Sequence, residues 1–351
     1  MTQQTMDRHN DAAGYGAGAQ LWRRPLLRLA ALALLGSPAC LAADRWIVYE
    51  GGKGPGRGKH ILLLAGDEEY RSEEGLPMLA KILARRHGFR CTVLFSQDGD
   101  GTINPNNSSN VPGMELLGAA DLVILQFRFR ELSDGDMKHF VDYLHLGKPL
   151  IAIRTATHAF QYKKNKESPY AKYSWDSRDW PGGFGQQVLG DTWINHHGAH
   201  GRESTRGVIE PANASHPVLR GVSDVWGPSD VYGIIHLKPE DTILLRGQVL
   251  SGMSPGDTPN GGKAPMPLVW TRAYTWENGA TGRTLTSTIG AAIDLKSEDL
   301  RRLFVNACYW LTGLDVPKRA NVDYVGPYEP SFFGFNQFKK GVKVGDQRLA
   351  R

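Results

Sequence analysis

The sequence predicts an α/β protein, a three-layer, mostly parallel, doubly wound sheet with extra strands in its second half. Three observations carry that expectation. The run from His60 to Ala65 is apolar beyond its first residue and ends at Gly66, as in a strand buried on both faces. Segments of helical period separate such runs, and a strand–helix–strand rhythm is that of crossover units feeding a parallel sheet. A chain of 351 residues, 41% apolar and with nine Trp, can bury one large core or two modest ones, which excludes wholesale disorder.

Residues 1–43 read as a signal peptide: a polar start, then Arg23-Arg24-Pro25-Leu26-Leu27-Arg28, the apolar run Leu29 to Leu35, and small residues to Ala43. The paired arginines resemble a twin-arginine signal, with a general secretory signal as the alternative. The apolar run is shorter than the roughly 20 residues a spanning helix needs, so no stable membrane span is expected and the mature chain is placed in the periplasm or outside the cell. Residues 44–58 read as a linker, rich in Gly and Lys from Gly51 to Gly58. The α/β domain is expected over 59–316.

Within it, a helix follows the first strand. Ser72 can cap it, Glu73 and Glu74 suit its positive end, Leu76, Leu79 and Leu83 form its stripe, and Arg85-Arg86-His87-Gly88 supply cationic last-turn residues and a terminal glycine. Phe89 to Phe95 is the second strand and Asp121 to Phe127 the third. Ser133 to Gly147 is a capped helix with Met137, Phe140, Val141 and Leu144 inward, and Pro149 to Thr155 is the fourth strand. Further strands are expected at Gly207 to Glu210, Thr242 to Leu250, Leu268 to Thr275 and Arg283 to Ile289. A closing helix runs from its cap Ser297 to Gly313 with Leu300, Phe304, Ala307 and Leu311 on one side. The tail, 317–351, holds Tyr324, Tyr328, Phe332, Phe333, Phe335 and Phe338, too many aromatics for a solvated linker, and is expected to pack on the domain.

The formal charge is +5, but residues 1–43 contribute four Arg against two acids, leaving 37 basic and 34 acidic residues, a net of +3. That is an ordinary surface without a basic, aromatic-interleaved patch, so nucleic acid is not expected as a partner. Beyond residue 43 the cysteines are Cys91, in a strand, and Cys308, on the apolar face of the last helix; both read as buried thiols without metal-ligand spacing.

In open parallel sheets ligands bind beyond the carboxyl ends of the strands, where strand order reverses. Three polar clusters fall at such ends: Asp67-Glu68-Glu69-Tyr70-Arg71, Arg128-Phe129-Arg130-Glu131 and Arg154-Thr155-Ala156-Thr157-His158. In the common doubly wound order the first, third and fourth strands are neighbours, so the clusters would share one crevice. Each cluster also has a plain structural reading, acids at a helix N-terminus or arginines pairing with nearby acids. His158 is the exception, since it follows a buried strand directly on rigid scaffold and is expected to be functional.

A second feature is Trp193-Ile194-Asn195-His196-His197-Gly198-Ala199-His200-Gly201, three histidines in five positions on what Asn195, Gly198 and Gly201 make a loop. To hold a metal they need a third protein ligand, with His158 or Asp230 the nearest candidates. The primary reading is proton transfer or substrate gripping by neutral imidazoles. No cofactor is expected, with a zinc-like divalent metal as the alternative. The segment from Tyr162 to Gly183, rich in Lys, Tyr and Trp, is long for a connection and reads as a lid or as a packed insertion.

The order of motifs resembles that of the ThuA-like family, named for trehalose utilisation and built on the class I glutamine amidotransferase-like, flavodoxin-like fold. The resemblance spans roughly His60 to Leu314. It rests on Gly147-Lys148-Pro149-Leu150-Ile151-Ala152-Ile153-Arg154 with Ala156-Thr157 and Ala159-Phe160, Leu189-Gly190 with Trp193 and His196, His216-Pro217 through Gly221, Asp230 and Tyr232, Pro267 to Trp270, Gly282-Arg283, and Asn306-Ala307 with Trp310. Gly66 to Glu74 and Trp226 to Gly233 resemble an exported subgroup. The chain departs from many relatives at Arg154, in place of His, at Ser229-Asp230, in place of Asp-Glu, and at Gly290-Ala291, in place of Gly-His. Where glutamine amidotransferases of this fold carry a nucleophilic Cys on a strained turn, this chain has Arg154-Thr155-Ala156, and Cys91 and Cys308 lie in other elements.

The resemblance implies an exported carbohydrate-related protein with a small carbohydrate ligand. One reading is an enzyme on sugars or oxidised (keto) glycosides, a hydrolase, lyase or isomerase using general acid/base histidines. The other is a non-catalytic sugar-binding module with Trp175, Trp180, Trp193 or Trp226 as stacking platforms. The expected catalytic residues are His158, His196 and His197. The expected substrate-binding residues are Asp67, Glu69, Tyr70, Arg71, Arg128, Arg154, Thr155, Trp193, His200, Asp230 and Tyr232.

Overall fold

In the computed structural model, which describes residues 44–349, ten strands form one sheet; the expected signal peptide and the last two residues lie outside the described residues. In chain order the elements are β1 (Ile47–Tyr49), β2 (His60–Gly66), α1 (Ser72–His87), β3 (Arg90–Phe95), β4 (Leu122–Phe127), α2 (Asp134–His145), β5 (Leu150–Ile153), β6 (Thr205–Ile209), β7 (Val225–Gly227), β8 (Thr242–Val249), β9 (Met266–Thr275), β10 (Thr281–Ser287) and α3 (Glu298–Leu311). The spatial order is β1-β3-β2-β4-β5-β10-β9-β8-β6-β7. Pairs β3/β2, β2/β4, β4/β5 and β5/β10 are parallel, while β1 and the extension from β9 to β7 pair antiparallel. This is the expected three-layer α/β fold with its added strands in the second half. No helix among the described residues is long and apolar enough to cross a membrane.

Alternation of side chains across the strands makes the layers. Ile61, Leu63, Ile124, Ile151 and Ile153 point to one face, where Leu79 and Leu83 of α1 and Leu300 and Phe304 of α3 cover them. Leu62, Leu64, Val123, Leu125 and Ala152 point to the other, under Met137, Phe140 and Leu144 of α2. Both faces of the central strands are therefore dry, which is why their sequences read as apolar runs rather than as alternations.

Local chemistry sets the helix ends. Ser133 caps α2 by accepting from the Asp136 amide at 3.1 Å, and Ser297 caps α3 by accepting from the Leu300 amide at 3.4 Å. Gly88 closes α1 at φ 82°, its amide returning to the Ala84 carbonyl, a left-handed turn that costs glycine little. Ser72 does not cap α1. Arg71 occupies the cap position at φ 60°, and the Ser72 hydroxyl accepts from the Asp67 amide at 3.0 Å, because the chain leaves β2 through a turn tied back to Asp67.

Two strands were not expected, and most expected strand bounds move by one or two residues. The supposed linker 44–58 contains β1, an edge strand whose Tyr49 pairs with Cys91. The fourth strand stops at Ile153 instead of Thr155, because Arg154 turns the chain at φ 51°. The three-residue β7, too short for a sequence pattern, closes the far edge. The segment Tyr162 to Gly183 packs onto the α2 face through Tyr162, Tyr173 and Trp180. The tail runs back across the domain, with Tyr328 bonded to the Ala292 carbonyl and Lys339 to Glu74.

Candidate functional site

Strand order reverses between β2 and β4, and the loops leaving β2, β4 and β5 converge at their carboxyl ends. Each loop turns on a non-glycine residue in the left-handed region: Arg71 at φ 60°, Phe129 at 51° and Arg154 at 51°. Among the described residues the only other such position is Asn336, in the tail. A side chain there costs about 1–3 kcal/mol, and such strain collects where surrounding structure is built to hold a site.

At the centre is Asp230, buried. Arg154 donates to Asp230 Oδ1 at 2.9 Å, to the carbonyls of Asp230 and Thr288 at 2.6 Å each, and to the Tyr70 hydroxyl at 2.9 Å. Its guanidinium carbon lies 4.4 Å from the Tyr70 ring centroid and 3.8 Å from that of Tyr232, a cation held between two π faces. On the open side His196 Nδ1 donates to Asp230 Oδ2 at 2.7 Å and His200 Nδ1 donates to Oδ1 at 2.9 Å. Burial alone would raise the Asp230 carboxyl, but Arg154 and the two imidazole bonds outweigh it and hold the group well below the usual carboxylate range.

Against this cluster lies a small pocket of about 40 Å³, lined by Glu69, Arg128, Phe129, His158, Trp193, His196 and Tyr232. His158 packs among Phe129, Trp193 and Tyr232, with ring centroids 5.1, 5.8 and 6.1 Å away. Burial, reinforced by Arg128 and Arg154, pushes its imidazole well below the ordinary histidine range, so the ring is neutral. Glu69 is displaced the other way: burial and the charge of Asp67 raise it, against the pull of Arg128, Arg154 and His200. Neighbouring groups whose proton affinities are driven apart are the arrangement acid/base chemistry uses.

Six of the residues expected from sequence line this pocket: Glu69, Arg128, His158, Trp193, His196 and Tyr232. His200 stands beside them with Nε2 3.4 Å from Glu69 Oε1. Six others, Asp67, Tyr70, Arg71, Arg154, Thr155 and Asp230, are each at most 1% exposed and form the support rather than a contact surface. Asp67 shows how: it accepts the Thr155 hydroxyl at 2.6 Å and the Glu69 and Tyr70 amides at 2.8 and 3.0 Å, locking the β2 loop to the β5 loop. Arg71 turns away toward Glu73 and the Phe332 carbonyl.

His197 does not join the other two histidines. Neighbours on an irregular loop face different ways, and its Nε2 bonds the Ala264 carbonyl at 2.9 Å while its amide pairs with Val231. Of the expected stacking tryptophans, Trp193 faces the pocket and Trp175 backs it at 5.8 Å. Trp180 packs on Tyr173 and Trp276, and Trp226 lies on β7.

The tail was expected on the domain, but not at this site. Phe333 packs on Tyr70 at 5.3 Å and on His200 at 5.2 Å, the Gly334 amide donates to the Glu69 carbonyl at 2.8 Å, and Phe335, 51% exposed, lies under Arg128 at 4.9 Å. Aromatic content was the only sequence signal, and it does not say where a tail docks. Glu68, passed over within its cluster, pairs with both Arg128 and Arg130.

No family model matches the chain, and no curated protein matches it. Among solved structures it is similar to a ThuA-like protein from Parabacteroides merdae at 15% identity and TM-score 0.47, over 74% of this chain and 92% of that one. A ThuA-like protein from Bacteroides uniformis is similar at 15% identity and TM-score 0.45, over 75% of this chain and 95% of that one.

Proposed function

We propose that this chain is an exported, carbohydrate-related enzyme of the ThuA-like kind, acting on sugars or oxidised (keto) glycosides by general acid/base chemistry. One observation carries the chemical part: His196, anchored by the buried Asp230, opens onto the same small pocket as the neutral His158, Glu69 and Arg128. The sugar class rests on the order of sequence motifs. A pocket of about 40 Å³ holds a few waters or the polar end of a molecule, far below the roughly 300–1,000 Å³ that enclose a drug-sized ligand. The sugar ring would therefore stay at the mouth, against Trp193, Phe129 and Phe335, and only the reacting carbonyl or hydroxyl would enter.

A keto group makes the neighbouring C–H acidic. With Nδ1–H held by Asp230, His196 keeps the lone pair on Nε2 for that proton. Arg128 and the neutral His158 bond the oxygen on which charge develops, and Glu69, which holds its proton to higher pH than an ordinary carboxyl, returns one to the leaving oxygen. The thiols take no part, since burial raises both Cys91 and Cys308 and each lies inside a structural element.

The test is turnover of keto-glucosides and of unoxidised disaccharides by the native protein and by His158→Ala. The expected result is turnover of the keto substrates that falls roughly 10²–10⁴-fold in the variant. Binding without turnover by the native protein identifies a sugar-binding module instead. Neither binding nor turnover removes carbohydrate from the reading.

A further inference from the structure

We propose that the same site holds a divalent transition cation of the zinc type, on one nitrogen each of His196 and His200 and a carboxylate oxygen of Asp230. The inference shares that site with the acid/base reading but needs no substrate. One ligand atom from each residue lies within 4.8 Å of the other two, and the imidazole centroids are themselves 4.8 Å apart. In a tetrahedral zinc site with bonds of about 2.0–2.2 Å, ligand atoms stand roughly 3.3 Å apart. Both Nδ1 atoms already point at the Asp230 oxygens from 2.7 and 2.9 Å, so small ring rotations open the space a cation needs.

The surroundings fit on three counts. Two imidazoles and a carboxylate form the mixed nitrogen–oxygen set that zinc and its neighbours accept, and hard cations such as magnesium do not favour. Arg154 approaches Asp230 from the buried side, whereas His196 and His200 flank the open side with side chains 36% and 35% exposed, which leaves an entry path. Behind His200 stands Glu69, its Oε1 3.4 Å from Nε2. With the metal on Nδ1, the His200 proton moves to Nε2 and finds that carboxylate, the outer partner a ligating histidine ordinarily has. His196 Nε2 then carries the ring proton and faces the pocket as a donor instead of as the base of the metal-free site, and the fourth metal position is left for water or a substrate oxygen.

Chelator-stripped full-length protein titrated with Zn²⁺ in a calorimeter is expected to bind one equivalent per chain. Co²⁺ in its place is expected to give the visible absorption of a four-coordinate nitrogen–oxygen site. His196→Ala and His200→Ala are each expected to weaken binding by more than the roughly 10–100-fold that loss of an outer partner costs, while His197→Ala leaves it unchanged. No binding by the native chain, or equal binding by native and His200→Ala protein, overturns the site. Should a variant fail to fold, the cobalt spectrum of the native chain decides: four-coordinate absorption supports the site and its absence overturns it. Turnover that persists in protein shown to bind no metal removes the cation and keeps the acid/base reading; metal bound stoichiometrically without turnover of any sugar does the reverse.

Discussion

Arg154 concentrates several costs in one residue. It stands at φ 51° on a turn where glycine would be relaxed, buries a full charge, and still leaves Nε without a partner. The returns are the pairing of Asp230, two carbonyl bonds and the Tyr70–Tyr232 sandwich, which together fix the carboxylate that anchors both histidines. Removing one partner of a buried pair leaves the other charge uncompensated, at a cost of about 3–5 kcal/mol. Arg154→Met, similar in length and uncharged, is expected to lower the urea-unfolding free energy by that amount. A loss below about 1 kcal/mol would mean that Asp230 is held by the imidazoles alone. Arg154 was visible in the sequence because it follows an apolar strand, but its role was not. A sequence shows the strand end, not that the side chain folds back beneath the loop instead of reaching toward a ligand.

Elements were legible where burial imposed a period. The central strands and all three helices followed from apolar runs, stripes and the Ser133 and Ser297 caps, because both sheet faces are dry and each helix lays an apolar stripe against one of them. β1 and β7 were not, since three residues pairing at an edge leave no pattern to read. The first turn of α1 was misread for a related reason: Ser72 has the chemistry of a cap, but tertiary bonding to the Asp67 amide takes it. That turn also buries Glu73, whose Oε2 has no partner and whose carboxyl burial pushes up to about 7 from an ordinary 4.5, Arg71 opposing only in part. Between those two pH values the unfolded chain has released the proton and the folded chain keeps it, so stability falls as pH rises through the window. The gap corresponds to about 3 kcal/mol. Glu73→Gln removes the titration, and the stability of the native protein relative to this variant is expected to drop by up to that amount from pH 4.5 to pH 8. A difference that stays flat would show that Arg71 neutralises the carboxylate in full.

At the scale of the whole molecule, the convergence of β2, β4 and β5 followed from topology alone, which is why Glu69, Arg128 and His158 could be placed together from sequence. The rest of the site comes from contacts far apart in the chain, and no period or spacing encodes them. His196 and His200 reach Asp230 across 34 and 30 residues, and Phe333 and Gly334 reach His200 and Glu69 from the far end. Phe333 belongs to a small cluster with Tyr70, Ala291 and Ile293, separate from the two large cores, so its removal should loosen the site more than the fold. In Phe333→Ala the Gly334 amide is expected to lose its hold on the Glu69 carbonyl. Amide exchange at Gly334 and in the β2 loop should then quicken at least tenfold, while amides in β2 and β4 keep their native protection. His200, no longer packed on that ring, gains rotameric freedom, and the KM for a keto-glycoside should rise more than kcat falls, because positioning is lost and the proton-transfer groups remain. Unchanged exchange at Gly334 would mean that the tail only rests on the domain and that the site is complete without it.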